Sequence, residues 1–247
     1  MNPEVYIKMA ETEYSHWWFS GRRAILDAMI ETLSLPKNAK ILEVGCGTGG
    51  NLRMLDRFGN VNAFEMDANA LGIASTKTNS FYDIRAGHCP DQIPFSDQSF
   101  DLICLFDVLE HIEQDAQTLI AIKQLLAKNG HILLTVPAYQ WLWGQHDEFH
   151  HHKRRYSVSV LRQKIAVAEL VPVKVSYFNS ILFPLAVLVR IKEKLFASGS
   201  MAGIDIPWAP INRVLKIIFG VERFLLPRFN LPFGVSLLCV LKAHVEK

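Results

Sequence analysis

The run Lys40-Ile41-Leu42-Glu43-Val44 leads straight into Gly45-Cys46-Gly47-Thr48-Gly49-Gly50. An apolar stretch that ends in clustered glycines reads as a buried parallel strand turning into the start of a helix. Only glycine takes the left-handed backbone such a turn requires. The turn leaves backbone N–H groups exposed at a helix N-terminus, ready for a polar ligand. A feature of this kind belongs to an open α/β sheet with ligands at the carboxyl ends of its strands.

The flanking patterns agree. Ile25, Leu26, Met29, Ile30 and Leu33 fall at helical spacing and predict an amphipathic helix over about 21–34 that ends near Pro36. After the glycines, Leu52, Leu55 and Phe58 form a helix face, 61–64 a second strand, 70–76 a helix and 81–86 a weaker strand. Phe100 to Phe106 is a strong buried strand. Ala116, Leu119, Ile122 and Leu126 then mark a helix, and 131–136 a fifth strand. This alternation predicts a doubly wound, Rossmann-like α/β sheet. Beyond Pro137 the pattern changes to a long aromatic and basic connection, a helix over 157–169 and strands at 171–177 and 235–241. About fifty residues with two apolar helices, near 181–196 and 211–226, separate those strands. At 247 residues the chain suits one core, so a single domain is expected over 1–247. Its parts are an N-terminal cap helix (1–37), a cofactor core (38–137), an acceptor loop (138–156) and a helical insertion (178–232).

Composition removes several alternatives. A fifth of the residues are charged and the net charge is only +2, so no broad basic face marks a nucleic-acid binder. The four cysteines stand far apart without a C-x-x-C pair, which predicts reduced thiols in a cytoplasmic protein. No secretory signal is read at the N-terminus. The longest apolar stretch, Ile181 to Val189, contains Pro184 and falls short of the roughly 20 residues that a membrane span needs.

Gly45, Gly47 and Gly50 also satisfy G-x-G-x-x-G, which nicotinamide enzymes share. Glu43 tilts the choice: a carboxylate two residues before the turn suits a cationic group such as the ammonium of S-adenosylmethionine. Glu65, at the end of the second strand, fits the ribose of either cofactor.

The blocks ILEVGCGTGGNL, VNAFEMD, IPFSDQSFDLICLFDVLEHI and LLAKNGHILLTVP, in this order over about 38–137, resemble the successive motifs of class I S-adenosylmethionine-dependent methyltransferases. The resemblance extends to a type 11-like bacterial group with an H-W-W-F N-terminus and a G-H-x-R-R-Y-like loop. It implies seven strands in the order 3-2-1-4-5-7-6, with strand 7 antiparallel and the fifty-residue segment inserted between strands 6 and 7. It also implies S-adenosylmethionine as cofactor. Glu43, Gly45, Cys46 and Gly47 would then lie at its methionine end, Glu65 at the ribose and Met66 on the adenine, with Phe106 and Asp107 closing the pocket. Relatives often place an acid after the glycine that follows strand 3. Here His88 and Cys89 follow Gly87, leaving Cys89 at the adenine end and Asp91 or backbone groups for the amine.

Three constellations address the acceptor. Asp107-Val-Leu-Glu110-His111 resembles the E-x-x-E-H metal motif of small-RNA 2′-O-methyltransferases, but D-V-L-E-H is also common in relatives without metal. No metal is assigned, and His111 is read as a base or acceptor contact. In the loop after strand 5, Trp141 and Trp143 would wall a pocket, His152 would take a proton with Asp147 beside it, and Arg154 and Arg155 would hold an anion or lock the loop. The third, Glu13-Tyr14-Ser15-His16-Trp17-Trp18-Phe19 followed by Arg22 and Arg23, is either a lid over the cofactor or packing for the first helix. The basic-flanked insertion helices cap the pocket, touch a membrane surface or form a dimer interface.

The expected activity is methyl transfer to a small or lipid-like acceptor, with oxygen favoured. The alternatives are an RNA-modifying methyltransferase and a catalytically silent cofactor-binding module.

Overall fold

The computed structural model describes residues 3–196 and 205–244. Seven strands form one sheet: β1 (Ala39–Val44), β2 (Gly59–Glu65), β3 (Asp83–Ala86), β4 (Phe100–Phe106), β5 (Leu126–Pro137), β6 (Leu170–Phe178) and β7 (Ser236–Ala243). Their order is β3-β2-β1-β4-β5-β7-β6. All neighbours are parallel except β7, which runs antiparallel to both β5 and β6. This is the class I methyltransferase order implied by the resemblance.

The strands alternate their side chains between two cores, as a sheet covered on both faces must. Leu42, Val44, Ile103 and Leu105 point to one side. They meet Leu119 and Ile122 of α5 (Asp115–Lys123) and Leu161 and Ile165 of α7 (Val158–Val167). Ile41, Leu102, Cys104 and Phe106 point to the other. There they meet Ile25, Leu26 and Met29 of α2 (Trp17–Glu31) and Phe219 of α9 (Ala209–Leu225).

The helix expected over 21–34 begins earlier, at Trp17, and the H-W-W-F motif forms its first turn. Trp18 stacks on Phe219 at 5.1 Å, and Trp17 meets the same ring edge-on at 5.8 Å. The aromatics therefore pack α2 against α9, and the lid reading is corrected to packing. Gly21 permits this approach: a side chain there would run into the Phe219 ring. The N-terminal cap also holds a second helix, α1 (Pro3–Thr12), which lies against α4 (Ala68–Lys77). Leu126, expected on a helix, begins β5 and pairs with Phe100.

The insertion contributes α8 (Phe183–Phe196) and α9. Glu222 is fully buried in α9, yet its carboxylate accepts the backbone N–H groups of Asn179, Ser180 and Ile181 at 2.6–2.9 Å. This pins the turn leaving β6 to α9. The remaining helices are α3 (Leu52–Leu55) after the glycines and α6 (Gln145–Phe149) in the loop after β5.

Candidate active site

The carboxyl ends of β1, β2, β4 and β5 converge on one edge of the sheet. On the donor side, Gly45, Gly47 and Gly49 all have positive φ. A Cβ at Gly45 would lie 2.9 Å from the Val108 side chain, so glycine is required there for space as well as for backbone conformation. Cys46 donates its N–H to Phe64 O at 3.2 Å while its side chain is buried in the core, so it serves the turn through its backbone. Phe106 is likewise a core side chain at the end of β4.

Glu43 is buried. One carboxylate oxygen accepts Asn51 Nδ2 at 2.8 Å, while Oε2 and Asn51 Oδ1 have no partner. Two orphaned acceptors beside a glycine turn fit a ligand ammonium, which brings N–H donors and positive charge. Burial lifts the Glu43 carboxyl to about 7, against the Asn51 hydrogen bond and the Arg22 charge, which lower it. Glu65 accepts the N–H groups of Gly47, Met66 and Asp67 at 2.8–2.9 Å, tying the turn to the end of β2 with a lone pair to spare. Met66 is 73 % exposed beside it, an apolar face free for an aromatic ring. Cys89 is half-buried against the core, its thiol pushed up to about 12 by burial and by Asp91.

Residues of the N-terminal constellation complete this side. Arg22 of α2 is ion-paired with Asp107, which has φ 57° and accepts Thr135 Oγ1 at 3.0 Å. Glu13, just beyond α1, accepts Thr48 Oγ1 at 2.8 Å and pairs with Lys77. Met9 reaches within 3.3 Å of where a Gly47 Cβ would stand. The segment over the glycine turn is thus α1 and Glu13.

On the acceptor side, residues from two loops meet. Asp147 is fully buried; its Oδ1 bonds His152 Nδ1 and Arg155 Nε at 2.8 Å each, and Oδ2 accepts Gly144 N at 2.9 Å. Those partners hold its carboxyl below the usual range against the opposing effect of burial. His152 packs edge-on against His111 at 4.7 Å, and its Nε2 lies 4.0 Å from Glu110 Oε1. Burial, with His152 adding to it, pushes His111 down to about 4, and burial with neighbouring imidazoles pushes His150 to about 2, so both are neutral at pH 7. The structure therefore brings His111, His152 and Asp147 together. It places both loop arginines elsewhere than in an anion site. Arg155 binds Asp147 and Ala138 O, and Arg154 bridges Glu113 and Asp115. Asp115 also accepts the buried Tyr156 hydroxyl, at 3.1 Å. The arginines lock the loop.

A family model described as methyltransferase domain matches residues 18–168. The chain belongs to this methyltransferase family. The match spans the glycine turn, the β4 loop and the histidine loop together. The cofactor this family implies is S-adenosylmethionine, and the orphaned acceptor of Glu43, the glycine turn and the spare lone pair of Glu65 fit it. It is 26 % identical over 120 residues to the demethylmenaquinone methyltransferase of Bacillus licheniformis, covering 47 % of this chain and 52 % of that protein. The chain thus spans about half the length of this curated relative. Its fold is similar to that of a Haloferax volcanii structure, a complex of the Trm112 methyltransferase activator with a methyltransferase-type protein (TM-score 0.61, 17 % identity, 100 % of each chain). It is also similar to geranyl diphosphate C-methyltransferase from Streptomyces coelicolor, solved with Mg2+, geranyl diphosphate and S-adenosyl-L-homocysteine (TM-score 0.58, 13 % identity, 87 % of this chain and 77 % of that one).

A cleft of about 510 Å³ lined by Met29, His131, Lys174 and Lys242 opens near the start of β5, away from this edge. Ligands of open α/β sheets sit at the carboxyl ends, so this cleft is not the site.

Proposed function

We propose that this methyltransferase modifies an oxygen of a lipid-like acceptor that it meets at an anionic membrane surface. The observation that carries the reading is the outward face of the insertion. α9 is apolar on two sides. Leu215, Phe219 and Leu226 pack inward, while Ile211, Val214, Ile217, Val221 and Phe224 are exposed. Ile181, Leu185, Leu188 and Val189 are exposed at and along α8. Arg213, Lys216 and Arg223 are the exposed charges of α9, and its one acid, Glu222, is buried. Apolar faces rimmed by basic residues suit insertion at an anionic interface. No helix among the described residues is long and apolar enough to cross a membrane.

The division of labour follows the chain. The glycine turn and the end of β2 within 38–137 hold the cofactor, His111 and the loop 138–156 serve the acceptor, and α8 and α9 meet the lipid. The bound cofactor supplies an electrophilic methyl group on a sulfonium. A hydroxyl acceptor is a poor nucleophile until it loses its proton, so it needs a base close to the reacting oxygen. His152 Nε2 is that base. Asp147 holds the opposite ring nitrogen and so fixes its tautomer and direction. His111 packs against the imidazole and helps to keep water out.

Flotation with phosphatidylglycerol-containing and purely phosphatidylcholine vesicles tests the surface. Binding to the anionic vesicles, reduced about tenfold or more in Val221→Glu/Phe224→Glu, is expected. Absence of binding to both vesicle types would discard the lipid reading. Methyl transfer from labelled cofactor to a lipid extract, with alkali-stable ether products, tests the choice of oxygen.

A further inference from the structure

Glu110 stands out among the buried acids. It is fully buried, and neither carboxylate oxygen has a hydrogen-bond partner. A carboxyl group stripped of water needs a proton donor or a cation near it. The group that faces it, His152 Nε2, is 4.0 Å from Oε1, too far for a hydrogen bond. One ligand atom each from Glu110, His111 and His152 lie within 4.8 Å of one another, and no other described His, Cys, Asp or Glu group does so in threes.

We propose that Glu110, His111 and His152 form a binding site for one divalent transition-metal ion of the zinc or iron(II) class. Two imidazole nitrogens and one carboxylate oxygen are the donor set such ions take, leaving positions open for an exchangeable ligand. Mg2+ and Ca2+, which prefer all-oxygen shells, fit it poorly. Ligands at about 2.1 Å from an ion stand roughly 3.0–3.5 Å apart, so binding draws the three groups together by about 1 Å.

The surroundings have the form of a second coordination shell. Asp147 accepts from His152 Nδ1 at 2.8 Å, which leaves the Nε2 lone pair directed at Glu110. Asp147 is in turn fixed by Arg155 and by Gly144 N. A carboxylate behind a histidine in this way orients the ring and raises its basicity toward a metal. The two loops are also tied directly, since Lys153 N donates to Glu110 O at 2.9 Å. With an ion bound, His152 Nε2 would be a ligand and no longer the base: the ion would bind the acceptor hydroxyl and lower its pKa, the proton passing to water. That role rests on the proposed oxygen acceptor. The binding site does not.

The test therefore omits cofactor and acceptor. The full chain, stripped with a chelator, is titrated with Co2+ while visible absorption is followed, and Zn2+ uptake is measured by elemental analysis. One ion per chain is expected, with ligand-field bands that Zn2+ abolishes. Glu110→Gln and His152→Ala, checked for fold by circular dichroism, should each weaken binding at least a hundredfold. His111→Gln should do so if the buried variants fail to fold, and Asp147→Asn should cost about ten- to a hundredfold. No uptake by the folded wild-type chain overturns the site. So does uptake unchanged in any folded variant of the three ligands.

Discussion

The donor and acceptor sides of the catalytic edge are built by different means. The part of the donor side that faces the cofactor is made of short runs of near neighbours in sequence, with Glu13 and Arg22 brought over it from the N-terminal segment. Glu43 to Asn51 and Glu65 to Asp67 supply it, and most of what they offer is backbone held in one conformation. The acceptor side is made of side chains about forty residues apart, Glu110 and His111 against Asp147, His152 and Arg155, held by a lock in which Asp147 makes three bonds. One side is set by what the chain can do locally. The other exists only once the loop after β5 has folded back over β4.

Substitutions should separate the two. His152→Ala removes the acceptor-side group while leaving the Asp147–Arg155 pair, so turnover should fall about 10²- to 10⁴-fold. Affinity for S-adenosylhomocysteine, measured by calorimetry, should stay within about twofold. An equal loss of both would mean that the two sides are one unit and would break the comparison. Gly45→Val should do the reverse. Its side chain would meet Val108 and need a left-handed backbone that a β-branched residue resists. Cofactor affinity should fall at least about a hundredfold, and turnover at saturating cofactor should fall far less.

The same contrast governs what could be read from the sequence. The turn, Glu43 and Glu65 were legible because each sits at a strand end and strand ends are visible as changes of period. The five parallel strands and the acidic β4 loop followed for the same reason. The meeting of His111 with His152 was not visible as a contact. Each was singled out separately, and only the fold puts Nε2 near Glu110. The start of α2 was missed because its cap is unusual. His16 Nδ1 accepts Trp18 N at 3.2 Å, in place of the Ser, Thr, Asp or Asn that normally signals a helix start. In α9 Ile211, Val214, Leu215, Ile218 and Leu225 fall at helical spacing in the sequence, yet they belong to two faces. Ile211 and Val214 are exposed, and the inward face includes a charged residue, Glu222, whose three backbone partners lie about forty residues away. Charge at a buried position defeats a period count unless the partners are known.

The smallest expected effect is also the one that examines the donor side most finely. Glu43 titrates near 7 chiefly because burial disfavours its charge, so the cofactor-free fold holds a proton there between about 4.5 and 7. Its folded pKa is raised, so the stability it contributes is present at low pH and lost as pH rises through 7. By linkage that loss amounts to about 3 kcal/mol. A ligand ammonium favours the ionised form. Binding below pH 7 must therefore release the proton, and affinity for S-adenosylhomocysteine should fall by up to about tenfold per pH unit below that point. Glu43→Gln keeps the size and the Asn51 hydrogen bond but has no charge to offer. At pH 8 it should bind about 30-fold more weakly, the value of one charge-assisted contact, and the fall below pH 7 should vanish so that the two curves meet near pH 5.5. Calorimetry in buffers of different ionisation enthalpy would count the released proton directly. If Glu43→Gln retains both the proton release and the slope, the ammonium is recognised by another group, and the orphaned oxygen of Glu43 serves the turn alone.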